Sequence, residues 1–309
     1  MANQTQVGEI YCQEPVDGVS VIIPALNEEN AIATTIQGLQ TALDPTGIDY
    51  EIILVDDGST DNTRQNALDA GAQVVVHNKN MGYGNSLMDG IRASNFPVIA
   101  MLDADGTYPM AMLPRLIEEA SRYDMVIGAR QWTNSNTSFL ARIYRKALFY
   151  LIRYLTSARA VDFNSGFRVF RKLDILDYKH LLCPTFSFTT TMTMIFLLTH
   201  RSVSFLEIDY SARVGLSKVS YFRDAIRTLS YIFMIANFFQ AYRTTLFLLA
   251  IFFATSLSWW FIGLMLDVGA TAQIVSQLTI ASSFIISALA LTAMPVAKLF
   301  IQALHQKRE

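Results

Sequence analysis

Two aspartates, Asp103 and Asp105, directly follow the apolar run VIAML. Carboxylates spaced this way at the end of a strand are hard oxygen ligands, which suit Mg²⁺ or Mn²⁺ with water and phosphate oxygens in the remaining positions. A D-x-D pair is common by chance, so a second acidic turn adds weight to it. In VDDGSTDN, Asp57 ends another apolar run and Gly58 and Ser59 begin a turn. Asp57 could accept a hydrogen bond from a base N–H or a ribose hydroxyl.

The elements that must position these residues alternate along the first 130 residues. Apolar, β-branched runs predict strands at 19–24, 50–57, 72–78, 97–105 and 124–130. The segments between them predict helices at 28–42, 61–70, 82–94 and 109–123. This alternation predicts a mostly parallel sheet covered by helices on both faces. Ligands bind at the carboxyl ends of strands in such sheets, and polar residues follow four of these strands in succession.

Charge is divided unevenly along the 309 residues, although the net charge is only −2. Residues 1–124 contain 5 Lys and Arg against 18 Asp and Glu, whereas residues 125–243 contain 16 against 6. Hydrophobic residues make up 52% of the chain and charged residues 16%, which excludes a disordered tail and an ordinary soluble domain. The basic half predicts anionic partners.

Two long segments contain no charged residue: one lies between Arg243 and Asp267, and the other between Asp267 and Lys298. Each exceeds the roughly 20 apolar residues that cross a bilayer. Two buried helices of a soluble core are the alternative, but such long helices usually show a polar stripe. The sequence therefore predicts transmembrane helices within 244–266 and 274–297.

The flanks of these spans predict their orientation. Arg243 precedes the first span and Lys298, Lys307 and Arg308 follow the second, whereas the short loop between them holds only Asp267. The positive-inside rule then places both termini, and the residues before the first span, in the cytoplasm. The first residues show no signal-peptide pattern, and the two cysteines are typical of a reducing compartment.

Two further segments predict amphipathic helices. The segment 139–155 places apolar residues at helical spacing beside Arg and Lys, as in helices that lie on anionic membrane surfaces. A core-facing helix with a solvated basic face is an equal alternative. The segment 220–243 leads into the first span, and we expect it to lie in the membrane interface.

At this point the sequence resembles a known family. The motifs VSVIIPALNEENAI, EIILVDDGSTDNT, NMGYGNSLMDGI, MLDADGTYP and DMVIGAR, in this order, look like family 2 inverting glycosyltransferases. The later blocks VDFNSGFRVFRK and EIDYSARVGLSKVS, followed by two spans, are similar to polyprenyl-phosphate glycosyltransferases of the dolichyl-phosphate mannose or glucose synthase type. The resemblance implies an α/β fold with a doubly wound GT-A sheet. It divides the chain into a catalytic domain (1–219), an interfacial helix (220–243), two transmembrane helices (244–297) and a tail (298–309).

The resemblance also implies roles for individual residues. Those that would line the nucleotide-sugar pocket are Pro24, Ala25, Asn27, Glu28, Asp57, Asp103 and Ala104. Asp103 and Asp105 would bind Mg²⁺ or Mn²⁺ on the diphosphate. Those that would contact the phosphates of donor or acceptor are Arg130, Arg168, Arg213, Ser217 and Lys218. Arg168 could instead pair with Asp162, and Lys218 could be a solvated loop residue.

Two departures from the family pattern bear on the site. Many relatives have Gln at the position of Thr107, so the third metal ligand is open. Relatives often have a Glu in the helix that corresponds to FSFTTTMTMIFLL, where this chain has Thr and Met and no acidic residue. A contact with the acceptor or the sugar could therefore differ here.

The predicted activity is transfer of a hexose from a nucleotide sugar to a polyprenyl phosphate in the bilayer, with inversion at the anomeric carbon. The sequence DADG slightly favours a UDP-sugar over GDP-mannose. A glycosyltransferase with another lipid, glycan or protein acceptor is the nearest alternative. The sequence does not support a polysaccharide synthase, because the Q-x-x-R-W motif is absent. It does not support a pyrophosphorylase either, because no GxGTR-like loop is present. A non-enzymatic scaffold would not need the acidic and basic site residues. Nucleic acid is not an expected partner, and a homo-oligomer stays open.

Overall fold

The computed structural model describes residues 16–130, 139–158, 162–209, 221–265, 269–271, 273–283 and 285. The strands are β1 Gly18–Ala25, β2 Asp49–Asp56, β3 Gln73–Val76, β4 Val98–Met101, β5 Met125–Arg130, β6 Arg168–Arg171 and β7 Val203–Ile208. The helices are α1 Ile32–Leu43, α2 Thr63–Asp69, α3 Tyr83–Ala93, α4 Leu113–Glu119, α5 Phe139–Thr156, α6 Lys172–Leu176, α7 Phe188–Leu198 and α8 Tyr221–Met265. Two short 3₁₀ turns, Asp44–Thr46 and Met110–Met112, follow α1 and precede α4.

The seven strands form one sheet in the order β3-β2-β1-β4-β6-β5-β7. All neighbouring pairs are parallel except those of β6, which runs antiparallel to both β4 and β5. Arg168, the first residue of β6, is paired with Met101, the last residue of β4. Because β6 runs in the opposite direction, the segment before it lies beside the loop that follows β4.

The five predicted strands and the four helices between them are confirmed, with boundaries that differ by a few residues. The largest difference is at β4, which ends at Met101 rather than at Asp105. The predicted helix 109–123 is shorter and begins with the 3₁₀ turn. Both antiparallel pairings come from β6, which the alternating pattern did not predict.

The core lies on both faces of the sheet because β1, in its middle, is buried along its whole length. Val19, Val21 and Ile23 of β1 share a buried cluster with Ile36 and Leu39 of α1. Helix α7 is also buried along nearly its whole length. The α/β fold with a GT-A-like mixed sheet is therefore confirmed.

The chain separates into two compact units: residues 1–153 with 158–231, and residues 154–157 with 232–309. The second contains most of α8, whose backbone leaves helical geometry at Gln240 with φ −138° and ψ 54°. Within α8, Ala225–Gly263 is long and apolar enough, by length and composition, to cross a membrane. Its large apolar side chains are exposed, including Phe253, Trp259 and Phe261.

Most of the second predicted span, 274–297, lies outside the described residues. The structure shows helix at 273–283. One span is thus a structural candidate, whereas the two-span topology stays a prediction.

The predicted basic helix 139–155 is present as α5. Ile143 and Tyr150 are 49% and 65% exposed, and the basic residues Arg142 and Lys146 are also exposed. Ile152 near its end is buried. Part of its apolar surface is therefore uncovered.

Candidate active site

The paired aspartates lie in the loop directly after β4. Their carboxylates are half-buried, and the backbone between them is fixed because the Thr35 hydroxyl donates to the Ala104 carbonyl at 3.1 Å. Asp105 Oδ1 accepts two hydrogen bonds from Thr107, one from its backbone N–H at 3.2 Å and one from its hydroxyl at 2.7 Å. Thr107, which replaces the usual Gln of relatives, therefore orients Asp105 and is itself buried.

Asp103 is held by groups from two other parts of the chain. The Tyr83 hydroxyl at the start of α3 donates to Asp103 Oδ1 at 2.8 Å. Gly166, in the segment before β6, lies so close that a Cβ there would be 3.0 and 3.1 Å from the two carboxylate oxygens. Burial and the negative charge of Asp103 raise the pKa of Tyr83 well above its ordinary value, so the phenol is the proton donor.

Asp57, just after β2, is 5% exposed and accepts hydrogen bonds from the protein itself. Its Oδ1 accepts from the Met81 N–H at 2.7 Å, and its Oδ2 accepts from the Gly82 N–H at 2.9 Å. His77 Nδ1 also lies 2.8 Å from Oδ1. The carboxylate predicted to bind the nucleotide thus organises the loop between β3 and α3.

The loops that follow β1 and β2 are tied together by reciprocal hydrogen bonds. The Asn27 N–H donates to Ser59 Oγ at 2.9 Å, and Asn27 Oδ1 accepts from the Thr60 N–H at 2.8 Å. Asn27 has a positive φ of 52°, a conformation that Asn tolerates better than most residues. The Glu28 N–H donates to Thr63 Oγ1 at 2.8 Å. These contacts build one continuous rim at the carboxyl ends of the two strands.

Pro24 and Ala25 are the last residues of β1 and are buried. They are in register with the last two residues of β2, and the Asp57 N–H donates to the Ala25 carbonyl at 2.8 Å. The structure therefore brings the predicted nucleotide-pocket residues together at the carboxyl edge of β1, β2 and β4.

Arg130, the last residue of β5, forms a two-point ion pair with Asp162. Nε lies 2.8 Å from Oδ2, and Nη2 lies 3.0 Å from Oδ1. The Arg130 side chain is 28% exposed, whereas that of Asp162 is 5% exposed. Burial alone would raise the pKa of Asp162, but the hydrogen bonds and charge of Arg130 outweigh burial and lower it.

Arg168 is completely buried and does not pair with Asp162. Its guanidinium donates to the Ser165 carbonyl, to the Thr189 carbonyl at 3.1 Å and to the Thr193 hydroxyl at 3.0 Å. Burial lowers the pKa of Arg168 to about 10, so the group stays cationic at neutral pH. The Arg168 side chain has no solvent-exposed surface in this structure, and its predicted contact with a phosphate stays a prediction.

The threonine-rich helix α7 supplies the polar partners of this region. Thr189 and Thr190 each donate a hydroxyl hydrogen bond of 3.0 Å to Asn164 Oδ1. The Asn164 N–H donates in turn to Asp162 Oδ1 at 3.0 Å. Hydroxyls and carbonyls thus surround Arg168 at the position where the family pattern often includes a Glu.

Three predicted phosphate contacts, Arg213, Ser217 and Lys218, lie outside the described residues. Two groups at the site were not singled out from the sequence: Tyr83 and Asn164. Both lie inside motifs that resemble the family, NMGYGNSLMDGI and VDFNSGFRVFRK. The motifs therefore indicate that both segments belong to the site. The contacts of the Tyr83 and Asn164 side chains could not be predicted, because they involve residues distant in sequence.

The carboxylates of Asp103 and Asp105 suit a divalent cation that takes its remaining ligands from outside the protein. No group of three or more His, Cys, Asp and Glu side chains able to hold a metal occurs among the residues that the structure describes. Two carboxylates on one loop suit Mg²⁺ or Mn²⁺, since such ions commonly complete their coordination with water and substrate phosphates.

The mixed sheet with paired carboxylates after β4 is the fold of GT-A glycosyltransferases. Residues 20–178, more than half of the chain, match the family described as Glycosyl transferase family 2. The chain belongs to this family.

Solved structures of glucosyl-3-phosphoglycerate synthase from Mycobacterium tuberculosis are similar in fold. A complex with Mn²⁺, UDP and phosphoglyceric acid has a TM-score of 0.60 and 18% identity, and covers 71% of this chain and 78% of that chain. A complex with Mg²⁺ and UDP has a TM-score of 0.58 and 18% identity, and covers 71% and 79%. At this identity the likeness shows the fold.

Proposed function

We propose that this protein is a membrane-anchored inverting glycosyltransferase that moves a hexose from a nucleotide diphospho-sugar to a polyprenyl phosphate. The observation that supports the transferase most strongly is the pair Asp103 and Asp105, each oriented by a hydrogen bond from the protein, Tyr83 to the first and Thr107 to the second. This pair lies at the edge of the sheet where the loops after β1 and β2 also meet. A diphosphate and a nucleoside would find their ligands there together.

The reaction needs positioning more than proton transfer. A phosphate monoester has a second pKa of about 6, so a lipid phosphate is largely dianionic at neutral pH and attacks without a general base. Its oxygen forms a bond to the anomeric carbon while the bond from that carbon to the diphosphate oxygen breaks. The nucleoside diphosphate leaves with the electron pair, and attack from the opposite face inverts the anomeric configuration.

Several residues would share the charge of the substrates. Asp103 and Asp105 would hold Mg²⁺ or Mn²⁺, which when bound would neutralise charge that develops on the departing diphosphate. The Mn²⁺ and Mg²⁺ complexes of the structural neighbours support such a cofactor. Arg130, which keeps 28% of its side chain exposed while paired with Asp162, would contact a phosphate.

The remaining assignments follow from the family resemblance. Arg213, Ser217 and Lys218 would close over the phosphates, and Asn27 and Glu28 would border the nucleotide. Asp57 would reach the nucleotide through the loop that it organises. We propose these roles, and substitution of each residue would test them.

A lipid acceptor is supported by the apolar helix and by the charge of the basic half. Ala225–Gly263 exposes aromatic and aliphatic side chains, as a membrane-spanning helix does. The exposed side chains of α5, Ile143 and Tyr150 with Arg142 and Lys146, suit an anionic bilayer surface. We propose two spans, an interfacial helix at 220–243, and a catalytic domain and termini in the cytoplasm.

A phosphorylated small molecule is the second candidate acceptor. Structures of the similar M. tuberculosis protein contain phosphoglyceric acid, which has a phosphate monoester as a polyprenyl phosphate does. Another lipid or glycan acceptor within family 2 is the third. The acidic site would serve all three, because it binds the donor.

Membranes containing the full chain provide the test. With radiolabelled nucleotide sugars, Mg²⁺ or Mn²⁺ and a short-chain polyprenyl phosphate, they should form a glycolipid that mild acid hydrolyses. Asp105→Ala should abolish the product while the protein remains folded, and Asp69→Ala, on an exposed helix end, should not change it. If product forms with phosphoglyceric acid but not with the lipid, the acceptor is a phosphorylated small molecule rather than a polyprenyl phosphate. No product with any donor would overturn the proposal.

The donor is tested in the same assay. A panel of UDP- and GDP-sugars should give the highest turnover with a UDP-sugar, as the DADG sequence favours. A preference for GDP-mannose would reverse this assignment without affecting the reaction class.

A further inference from the structure

The Tyr83 side chain, at the start of α3, donates a hydrogen bond to Asp103. We infer that Tyr83 is a positioning residue of the metal site: its phenol holds Asp103 in the orientation that binds a divalent cation. Asp57 and His77 hold Tyr83 in place from the other side. This inference rests on the proposed function, because it assigns the support of the metal site that the function requires.

The first step is the packing of three groups at one point. Tyr83 Oη lies 2.8 Å from Asp103 Oδ1, and the backbone of Gly166 lies against both. A Cβ on Gly166 would be 3.1 Å from the Tyr83 hydroxyl and 3.0 Å from Asp103 Oδ1. The carboxylate is thus confined between a hydrogen-bond donor and a backbone segment, which restricts its rotation about χ2.

The second step is the anchoring of the Tyr83 ring. It stacks on Phe186, with ring centroids 5.7 Å apart and an interplanar angle of 20°. The helix that begins at Tyr83 is pressed against the 183–185 segment, because a Cβ on Gly84 would be only 2.3 Å from the Cys183 carbonyl oxygen. The Asn85 N–H also donates to the Pro184 carbonyl at 3.2 Å. The phenol therefore cannot move away from Asp103 without disturbing these contacts.

The third step is the loop that precedes Tyr83. Asp57 accepts from the N–H groups of Met81 and Gly82, the two residues directly before it. His77 Nδ1 lies 2.8 Å from Asp57 Oδ1, and because a carboxylate only accepts, the imidazole donates. His77 Nε2 faces Asp89 at 3.3 Å. A chain of contacts thus runs from His77 through Asp57 and the loop to the metal ligand.

The hydroxyl and the ring of Tyr83 have different roles in this arrangement, so they can be tested separately. Phenylalanine would keep the stack on Phe186 and the helix start, and would remove only the hydrogen bond to Asp103. Groups that orient a metal ligand commonly change metal affinity by about 10- to 100-fold when they are removed. Tyr83→Phe is therefore a specific probe of the inference.

Tyr50→Phe is a matched control. Tyr50 also donates its hydroxyl to an aspartate, Asp44, but it lies at the opposite end of β2 from Asp57. The control removes the same kind of hydrogen bond away from the candidate site.

The experiment measures Mn²⁺ binding to the purified full-length protein in the presence of UDP, by loss of the electron paramagnetic resonance signal of free Mn²⁺. Tyr83→Phe should raise the Mn²⁺ dissociation constant about tenfold, and Tyr50→Phe should leave it unchanged. In the transfer assay, saturating Mn²⁺ should restore the kcat of Tyr83→Phe, since a positioning defect is overcome by metal concentration.

The outcomes separate the two proposals. If the wild type binds Mn²⁺ with UDP and Tyr83→Phe binds it equally well, the inference is overturned and the proposed function stands. If the wild type itself binds no Mn²⁺ but forms product in the transfer assay, the inference is overturned and the proposed function stands; no binding and no product with any donor overturn both. Should Tyr83→Phe not fold, His77→Leu and His77→Asn decide the matter: loss of affinity in the first and its retention in the second support the inference, and equal affinities overturn it.

Discussion

The Arg130 side chain holds Asp162 through two hydrogen bonds, with Nε 2.8 Å from Oδ2 and Nη2 3.0 Å from Oδ1, and the Arg130 backbone N–H donates a third to Oδ2 at 3.2 Å. This pair joins the end of β5 to the segment that leads into β6. Because Asp162 faces Arg130, no carboxylate among the residues that the structure describes contacts Arg168 directly. The more exposed Arg130 is thus paired with an acid, whereas the buried Arg168 is surrounded by carbonyls and hydroxyls.

Acid should destabilise the protein through Asp162. Its pKa is lowered in the folded state, so its contribution to stability is fully present above the unfolded pKa of about 3.9 and is lost as the pH falls through the folded pKa. The melting temperature of the full chain in detergent should therefore decrease below about pH 4. Asp162→Asn should melt lower at pH 7 and show a shallower acid dependence. Parallel pH profiles for the two proteins would contradict this assignment.

Thr107 should act on the metal site through its hydroxyl. Thr107→Val keeps the shape but removes the 2.7 Å hydrogen bond to Asp105, and should reduce kcat/KM at limiting Mn²⁺ about tenfold. Thr107→Ser retains the donor and should stay close to wild type. A loss in Thr107→Ser with none in Thr107→Val would contradict this role, because it would show that the methyl group rather than the hydroxyl matters.

Gly166→Ala should weaken the metal site by contact. The added methyl would lie 3.0 and 3.1 Å from the Asp103 oxygens, which is tighter than ordinary packing, so the carboxylate must shift. We expect weaker Mn²⁺ binding with little change in melting temperature. Gly38→Ala is the control, because its Cβ would meet only the flexible end of Met110. Wild-type Mn²⁺ affinity in Gly166→Ala would show that Asp103 tolerates the shift.

Arg168 should contribute to stability. Arg168→Met leaves the buried Ser165 carbonyl without its donor, at a cost of about 1–3 kcal/mol, whereas the Thr189 carbonyl still accepts from the Thr193 hydroxyl at 2.8 Å. Denaturation of the purified protein should show this loss, while the fraction that remains folded keeps the KM for the acceptor. A raised KM with unchanged stability would instead support the phosphate contact that the family resemblance implies.

Local sequence was sufficient for much of the fold. The runs that became β1, β2 and β5 are apolar and β-branched, and the segments between them have helical spacing, so both periodicities were visible without tertiary information. Strand β6 was not predicted because its four residues, RVFR, carry no such pattern. Its place between β4 and β5 depends on backbone pairing with residues about 70 and 40 positions away.

The candidate site shows the same division. The sequence by itself determined the residue types at the strand ends, the acidic pair Asp103 and Asp105, and the apolar segment after Arg243, because composition and spacing are local properties. Only the tertiary structure decided that Arg130 rather than Arg168 pairs with Asp162, and that Tyr83 reaches Asp103. Partner choice and burial depend on which segments the antiparallel β6 brings beside β4 and β5, and that pairing is a property of the whole sheet.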